Sequence, residues 1–168
     1  QPREHVQLIP LLSRVISLLQ TKVKEKRINI DTDFSKNIPD VMGDDDQLTQ
    51  VFQNLLDNAV KYGRPDSLIK VEVKLREKFG DNRTTGVSVC ISDQSDGIPA
   101  DDLSRLTERF YRVDKARSRE LGGTGLGLAI VKHIVGRHRG RLEIDSEEGV
   151  GSEFIVTLPV VDAGTSKK

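Results

Sequence analysis

Asp44-Asp45-Asp46-Gln47-Leu48-Thr49-Gln50-Val51-Phe52-Gln53-Asn54-Leu55-Leu56-Asp57-Asn58-Ala59-Val60-Lys61-Tyr62 is the stretch on which the reading of the chain turns. Leu48, Val51, Phe52, Leu55, Leu56 and Ala59 recur at three- and four-residue intervals, which sets them on one face of a helix. The acids ahead of them suit a helix N-terminus, whose free N–H groups carry partial positive charge. A helix is therefore predicted from these acids to about Tyr62, where Gly63-Arg64-Pro65 stops it. One flank of that helix is polar. Asn54 and Asn58 lie four residues apart, about 40° around the axis, with Lys61 and Tyr62 one turn further on. Amide oxygens suit Mg²⁺, lysine brings positive charge to phosphate, and tyrosine offers a ring. The flank borders the apolar stripe, so it faces either a cleft or open water.

Outward from this helix the chain alternates between the two hydrophobic periods. Leu8, Leu11, Leu12, Val15, Leu18, Leu19 and Val23 predict one helix from Val6 to Lys26, and Ile28 to Phe34 alternates as a half-buried strand before turn chemistry at Asn37-Ile38-Pro39-Asp40. Leu68 to Leu75 and Thr85 to Ile91 read as an antiparallel pair joined through Gly80-Asp81-Asn82. A helix from Thr124 to about His138 follows, with Leu126, Ala129, Ile130, His133 and Ile134 at helical spacing. Arg141 to Asp145 and Ser152 to Leu158 then form a hairpin around Glu148-Gly149-Val150-Gly151. The order α, β, α, β, β, loop, α, β, β predicts an α+β two-layer sandwich.

Composition narrows what such a domain does. The 168 residues suffice for one core. Lys and Arg number 26 against 26 Asp and Glu, so no global positive field collects phosphate backbones. Two Tyr, five Phe and no Trp give no base-stacking platform, which argues against nucleic acid as a partner. The single cysteine, Cys90, excludes an internal disulfide and a cysteine-rich zinc site, and its scarcity fits a cytosolic setting. No run approaches about 18 apolar residues, and the abrupt start at Gln1-Pro2 reads as an excised piece.

Three further segments carry candidate chemistry. Gly122-Gly123-Thr124-Gly125-Leu126-Gly127-Leu128 opens a helix, where glycines let backbone N–H groups approach an anion and the helix dipole favours it. The same glycines also suit a hinge or close helix packing. Asp93-Gln94-Ser95-Asp96-Gly97-Ile98-Pro99 follows a buried strand. An aspartate there accepts a hydrogen bond from an exocyclic amine, or simply closes a turn. Glu108 to Arg119 holds five basic residues against two acids, the balance of a basic lid over phosphates or of a solvated loop. His133, on the apolar face that the spacing predicts for its helix, reads as a core or groove residue, whereas His5 and His138 read as surface residues.

In their order along the chain these segments resemble sensor histidine kinases. Gln50 to Tyr62 looks like the N box, Asp93 to Gly97 the G1 box, Arg109-Phe110-Tyr111-Arg112-Val113-Asp114 the F box, and Gly123 to Leu128 the G2 box. Gly43-Asp44 and Gly149-Val150-Gly151-Ser152-Glu153-Phe154 match as well. The likeness is to the catalytic ATP-binding domain of phosphate-regulon-type (PhoR-like) kinases, within the Bergerat, or GHKL, superfamily.

The resemblance implies a mixed five-stranded sheet backed by about three helices with an ATP lid, in a catalytic domain over residues 1–160 followed by a frayed tail at 161–168. It implies ATP and Mg²⁺ as cofactors. Asn58 would hold the metal with Asn54 supporting it. Lys61 would contact phosphate, with Asn54, Lys61 and Arg112 as the catalytic set. Tyr62, Asp93, Gly97 and Ile98 would line the adenine site, with Asp93 on the amine. Tyr111 and Arg112 would reach over from the lid, and Gly123, Thr124, Gly125, Leu126, Gly127 and Leu128 would receive the triphosphate. The implied reaction is transfer of the γ-phosphoryl group to a histidine on a separate dimerisation domain. The piece itself would be monomeric, the whole receptor a homodimer anchored in a bacterial inner membrane with this domain in the cytoplasm and a response regulator as partner. Two rivals follow from the same residues. A hydrolysing ATPase of the superfamily would need a carboxylate where Asn54 stands. A degenerate interaction module that binds nucleotide poorly is the other. The family's G1 box usually has glycine where Ser95 stands and an uncharged residue at Asp96. That predicts strained backbone at Ser95, and tighter binding in Ser95→Gly.

Overall fold

The computed structural model describes residues 4–79, 84–97 and 126–161. Strand β1 (Glu4–Val6) leads into helices α1 (Leu8–Leu18) and α2 (Gln20–Lys26). Strands β2 (Asn29–Phe34) and β3 (Val41–Gly43) come next, then helix α3 (Asp45–Tyr62) and strands β4 (Leu68–Phe79) and β5 (Thr84–Asp93). Helix α4 (Leu126–Arg137) precedes strands β6 (Arg141–Glu147) and β7 (Gly151–Pro159).

Five strands form one mixed sheet in the order β2-β4-β5-β7-β6, parallel between β2 and β4 and antiparallel elsewhere. Alternation decides which side of each strand is covered. Ile69, Val71 and Val73 of β4, Val87, Val89 and Ile91 of β5, and Phe154, Val156 and Leu158 of β7 are all buried; the register sets Val71 and Val73 opposite Ile91 and Val89, and Val87, Val89 and Ile91 opposite Leu158, Val156 and Phe154. They pack with the apolar stripe of α3 and with α1 and α4 into one core. The two-layer α+β sandwich with its mixed five-stranded sheet is thus as the sequence predicts. The antiparallel β4–β5 pair and the β6–β7 hairpin are also in place, the latter turning through Gly149 at φ 80°. The segment 80–83 that joins β4 to β5 lies outside the described residues.

Four features differ from the sequence reading. The first helix is two, broken at buried Leu19 (φ −94°, ψ 0°), so the described residues contain four helices. Leu18, counted with the apolar face, is 73% exposed. Val6 belongs to a two-stranded antiparallel sheet, β1 on β3, whose strands are too short to show a period of two. The histidines are exchanged: His133 is exposed, whereas His138 is 4% exposed. Helix α4 is apolar on most of its circumference, so periodicity does not select its inner face. The buried stripe is Val131, Ile134, Val135 and His138. Of the tail, Val161 donates its N–H to the Asp40 carbonyl at 3.0 Å, and residues 162–168 lie outside the described residues.

His138 earns its burial. Asp44 N–H donates to His138 Nε2 at 3.0 Å, and His138 Nδ1 lies 2.8 Å from the Ile134 carbonyl, so one ring ties the start of α3 to the end of α4. A Cβ on Gly43 would stand 2.9 Å from His138 Cδ2 and 2.7 Å from Leu48 Cδ1, so glycine is what lets the ring approach. His138→Ala removes the tie and leaves a void, at a cost of about 2–3 kcal/mol in urea unfolding. A cost below about 0.5 kcal/mol would contradict this role.

Candidate functional site

Helix α3 starts where the side chain of Asp44 accepts from Gln47 N–H at 3.0 Å, a capping bond that fixes its first turn. Its far end is held from outside. Lys26 Nζ donates to the carbonyls of Val60, Lys61 and Gly63 at 2.7, 2.9 and 2.8 Å, placing a positive charge on the negative end of the helix dipole. The rotation of α3 is then set by its seven buried apolar residues. Asn54, Asn58, Lys61 and Tyr62 come out half-buried, while Gln50 and Gln53 on the outer side are exposed. The polar flank is therefore no ordinary solvated face. Neither the Asn54 nor the Asn58 side chain has a hydrogen-bond partner among the described residues.

Asp93 ends β5, half-buried. Ser152 N–H donates to its Oδ1 at 3.2 Å. Burial pushes the Asp93 carboxyl above the usual carboxylate range; the Ser95 side chain and the Ser152 N–H pull the other way. The loop beyond is stitched to the end of α3, because Arg64 N–H donates to the Gln94 carbonyl at 2.8 Å. Gly97 takes φ 78°, and a Cβ there would run into the Glu147 carbonyl, so glycine is obligatory on two counts.

Ser95 corrects the strain expectation. It is absent from the described left-handed residues, is buried, and its Oγ accepts from Gly97 N–H at 3.2 Å. Serine there shapes the turn without left-handed backbone, and Ser95→Gly would lose that hydrogen bond. Asp96, the other departure, forms an ion pair with Arg64 at 3.5 Å.

Of the remaining sequence-predicted residues, Gly127 and Leu128 lie half-buried in the first turn of α4, which packs against α3. Leu126 is the first residue of that helix. Ile98, Tyr111, Arg112, Gly123, Thr124 and Gly125, and with them the lid from Glu108 to Arg119, lie outside the described residues. The structure thus ties the end of α3 to the Asp93–Gly97 loop through Arg64 and Gln94, and packs α4 against α3. Sequence reasoning passed over Lys26 and Arg64 and read His138 as a surface residue, because Val60, Lys61 and Gly63, Gly149, and Asp44, which they respectively bind, are far away in the chain.

The profile of the family described as histidine kinase-, DNA gyrase B- and HSP90-like ATPases matches residues 43–162. The chain belongs to that family. Within these ATPases it is of the histidine kinase type by both comparisons. The sensor protein kinase WalK of Staphylococcus aureus is 45% identical over 133 residues, covering 77% of this chain and 31% of that protein. Its counterpart in strain JH9 is covered over 21%, so the chain spans about a fifth to a third of these relatives. Among solved structures, the mycobacterial sensor histidine kinase MprB superposes with a TM-score of 0.79 at 26% identity over 94% of this chain and 97% of that one. Full-length ShkA in complex with AMPPNP gives 0.77 at 28% identity over 95% of this chain and 31% of that one. No helix among the described residues is long and apolar enough to cross a membrane.

The pH dependence of stability reports on the Asp93 environment. Its folded pKa stands above the unfolded one, so the cost of ionising it is absent below about the ordinary value of 3.8 and complete above the raised value. Asp93→Asn removes that cost. The stability of the variant relative to the parent should rise with pH from about 4 to 7 in urea unfolding, and a relative stability that falls with rising pH would show that Asp93 is not desolvated.

Proposed function

We propose that this chain is the ATP-binding catalytic domain of a two-component sensor histidine kinase. It positions Mg-ATP and presents the γ-phosphoryl group to a histidine on a separate dimerisation and histidine-phosphotransfer domain of the same receptor. The observation that carries the reading is a helix with two half-buried amides, without side-chain partners among the described residues, whose end is tied through Arg64 and Gln94 to the loop that follows a desolvated carboxylate at the end of β5.

In this reading the Asp93 carboxylate accepts from the adenine amine, and the passage of the backbone at Gly97 leaves room for the flat base. Tyr62 and Ile98 complete the base wall. Asn58 holds Mg²⁺ through its amide oxygen, with Asn54 beside it. The donor set fits that ion: no group of three His, Cys, Asp or Glu side chains forms a cage among the described residues, and Mg²⁺ is commonly held by few protein oxygens together with phosphates and water. The metal would supply charge neutralisation at the phosphates. Lys61, the lid residues Tyr111 and Arg112, and the N–H groups from Gly123 to Leu128 orient the triphosphate and stabilise its developing charge. Transfer breaks the bond between the γ-phosphorus and the bridging oxygen and forms a phosphorus–nitrogen bond on the acceptor imidazole, with ADP leaving. None of His5, His133 and His138 stands in a phosphoacceptor sequence context, so the nucleophile belongs to the other domain. An amide at Asn54 cannot take a proton from water, which disfavours hydrolysis as the primary reaction. The whole receptor, in this reading, is a bacterial inner-membrane homodimer that holds this domain in the cytoplasm and passes its phosphoryl group to a response regulator.

Asn58→Ala should weaken Mg-ATP binding by tenfold or more while changing metal-free ATP by less than about threefold, since only the former loses a metal ligand. Titration calorimetry with and without Mg²⁺ checks this, and equal losses would remove the metal role from Asn58. The carboxylate at Asp93 meets the guanine carbonyl with lone pairs, so GTP should compete about tenfold or more less well than ATP. Comparable competition by the two nucleotides would refute the base-selecting role.

A further inference from the structure

We propose that Arg64 is a positioning residue for the nucleotide, clamping the Asp93–Gly97 loop between the end of α3 and the β6–β7 turn; the proposal rests on the nucleotide-binding reading above. Three pieces of chain meet at this side chain. The backbone of Arg64 donates to the Gln94 carbonyl at 2.8 Å. Its Nη2 donates to the Gly149 carbonyl at 2.8 Å and stands 3.5 Å from Asp96 Oδ1. Gly149 N–H in turn donates to the Asp96 carbonyl at 2.8 Å, so the loop and the turn are joined by backbone and bridged by one guanidinium. Gln94 closes the circuit through Oε1, which accepts from Leu68 N–H at 2.8 Å at the start of β4.

The arrangement explains why this loop holds its course. Asp93 and Gly97 flank the tethered residues Gln94 and Asp96, and Gly97 lies so close to the Glu147 carbonyl that a Cβ would not fit. A shift of the β6–β7 turn therefore moves Gly97. On the other side Arg64 is two residues beyond Tyr62, so the same clamp sets the distance between the end of α3 and the loop. The Asp96 carboxylate, unusual at its place in the G1 box, acquires a reason as the acidic partner of Arg64. The side chains of this pair are 44% and 61% exposed, so the pair itself is weak and screened by salt, and the charge-assisted bond to the Gly149 carbonyl is the stronger part.

The test compares Arg64→Ala, Arg64→Lys, Asp96→Asn and Asp93→Asn in the 168-residue chain, measuring Kd for Mg-ATP and Mg-ADP by calorimetry and amide exchange by mass spectrometry. Arg64→Ala should weaken ATP and ADP by the same factor, about three- to tenfold, because the clamp sets the base wall and not the phosphate end. Exchange should quicken in the peptides holding Gly97 and Gly149 and stay unchanged in the core of α3. Arg64→Lys, which keeps a donor for the Gly149 carbonyl, should recover part of the affinity. Asp96→Asn should cost about twofold or less, since the ion pair with Arg64 that it removes is exposed and screened. If Arg64→Ala leaves both affinities unchanged while Asp93→Asn weakens them, the clamp is overturned and the nucleotide reading stands. A loss confined to ATP would mean that Arg64 acts on phosphate, which also overturns it. If Asp93→Asn and Arg64→Ala both bind ATP like the parent, the role of Asp93 in the nucleotide reading fails and the clamp with it.

Discussion

The ammonium of Lys26 on the last carbonyls of α3 is the contact on which the site depends. A helix leaves its final carbonyls without intrahelical donors, and α3 ends at Tyr62 just before a proline at position 65, where no further turn supplies them. Three bonds of 2.7–2.9 Å from one lysine satisfy that end and hold it against α2. At the other end Asp44 caps the first turn while its own N–H reaches His138. A helix fastened at both ends, with seven residues buried between, has little freedom to roll about its axis. That restraint is what keeps the flank of Asn54 and Asn58 half-buried.

How much of this was legible depends on how one-sided each pattern is. Helix α3 has a polar face and an apolar face, and the sequence places both its span and its flank. The five strands of the main sheet alternate over six or more residues and are equally plain. Strands β1 and β3 have three residues each, too few for a period, and their pairing of Glu4 with Gly43 joins segments that nothing local connects. Helix α4 is apolar nearly all round. Two stripes one residue apart fit it equally well, and the packing against α3 selects the one that buries His138 and leaves His133 in solvent. The site shows the same division. Spacing sets Asn54, Asn58, Lys61 and Tyr62 on one flank and Asp93 and Gly97 just past a strand, but a solvated face or a plain turn fits those patterns too, and it is the resemblance that singles these residues out. Lys26 and Arg64 look like any surface cations until the fold supplies the carbonyls they bind.

Ser95 shows how a departure from a pattern is misread when only the residue type is visible. Glycine is frequent where backbone angles are unusual, so a serine in its place suggests strain. The loop takes its unusual angle at Gly97 instead, and Ser95 uses its side chain to receive the Gly97 N–H. The hydroxyl does for the turn what a second glycine would do by freedom alone, and it adds a dipole beside the Asp93 carboxylate.

That carboxylate is a poor choice if only the fold is considered. Burial raises the free energy of its charged form, and the opposing help from Ser95 and Ser152 leaves the balance on the side of desolvation. An asparagine could accept from the Ser152 N–H at the same place without a charge to desolvate. What the aspartate offers in exchange is a charged acceptor with more lone pairs than the Ser152 N–H and the Ser95 side chain engage. It sits on the last residue of a central strand, with its loop pinned on both sides by Arg64. A group that is costly to keep, available to a ligand and held on rigid elements has the properties of a recognition residue. It also differs in kind from the amides of α3, which is what the proposed function asks of one wall that meets a base and another that meets a metal-bound phosphate.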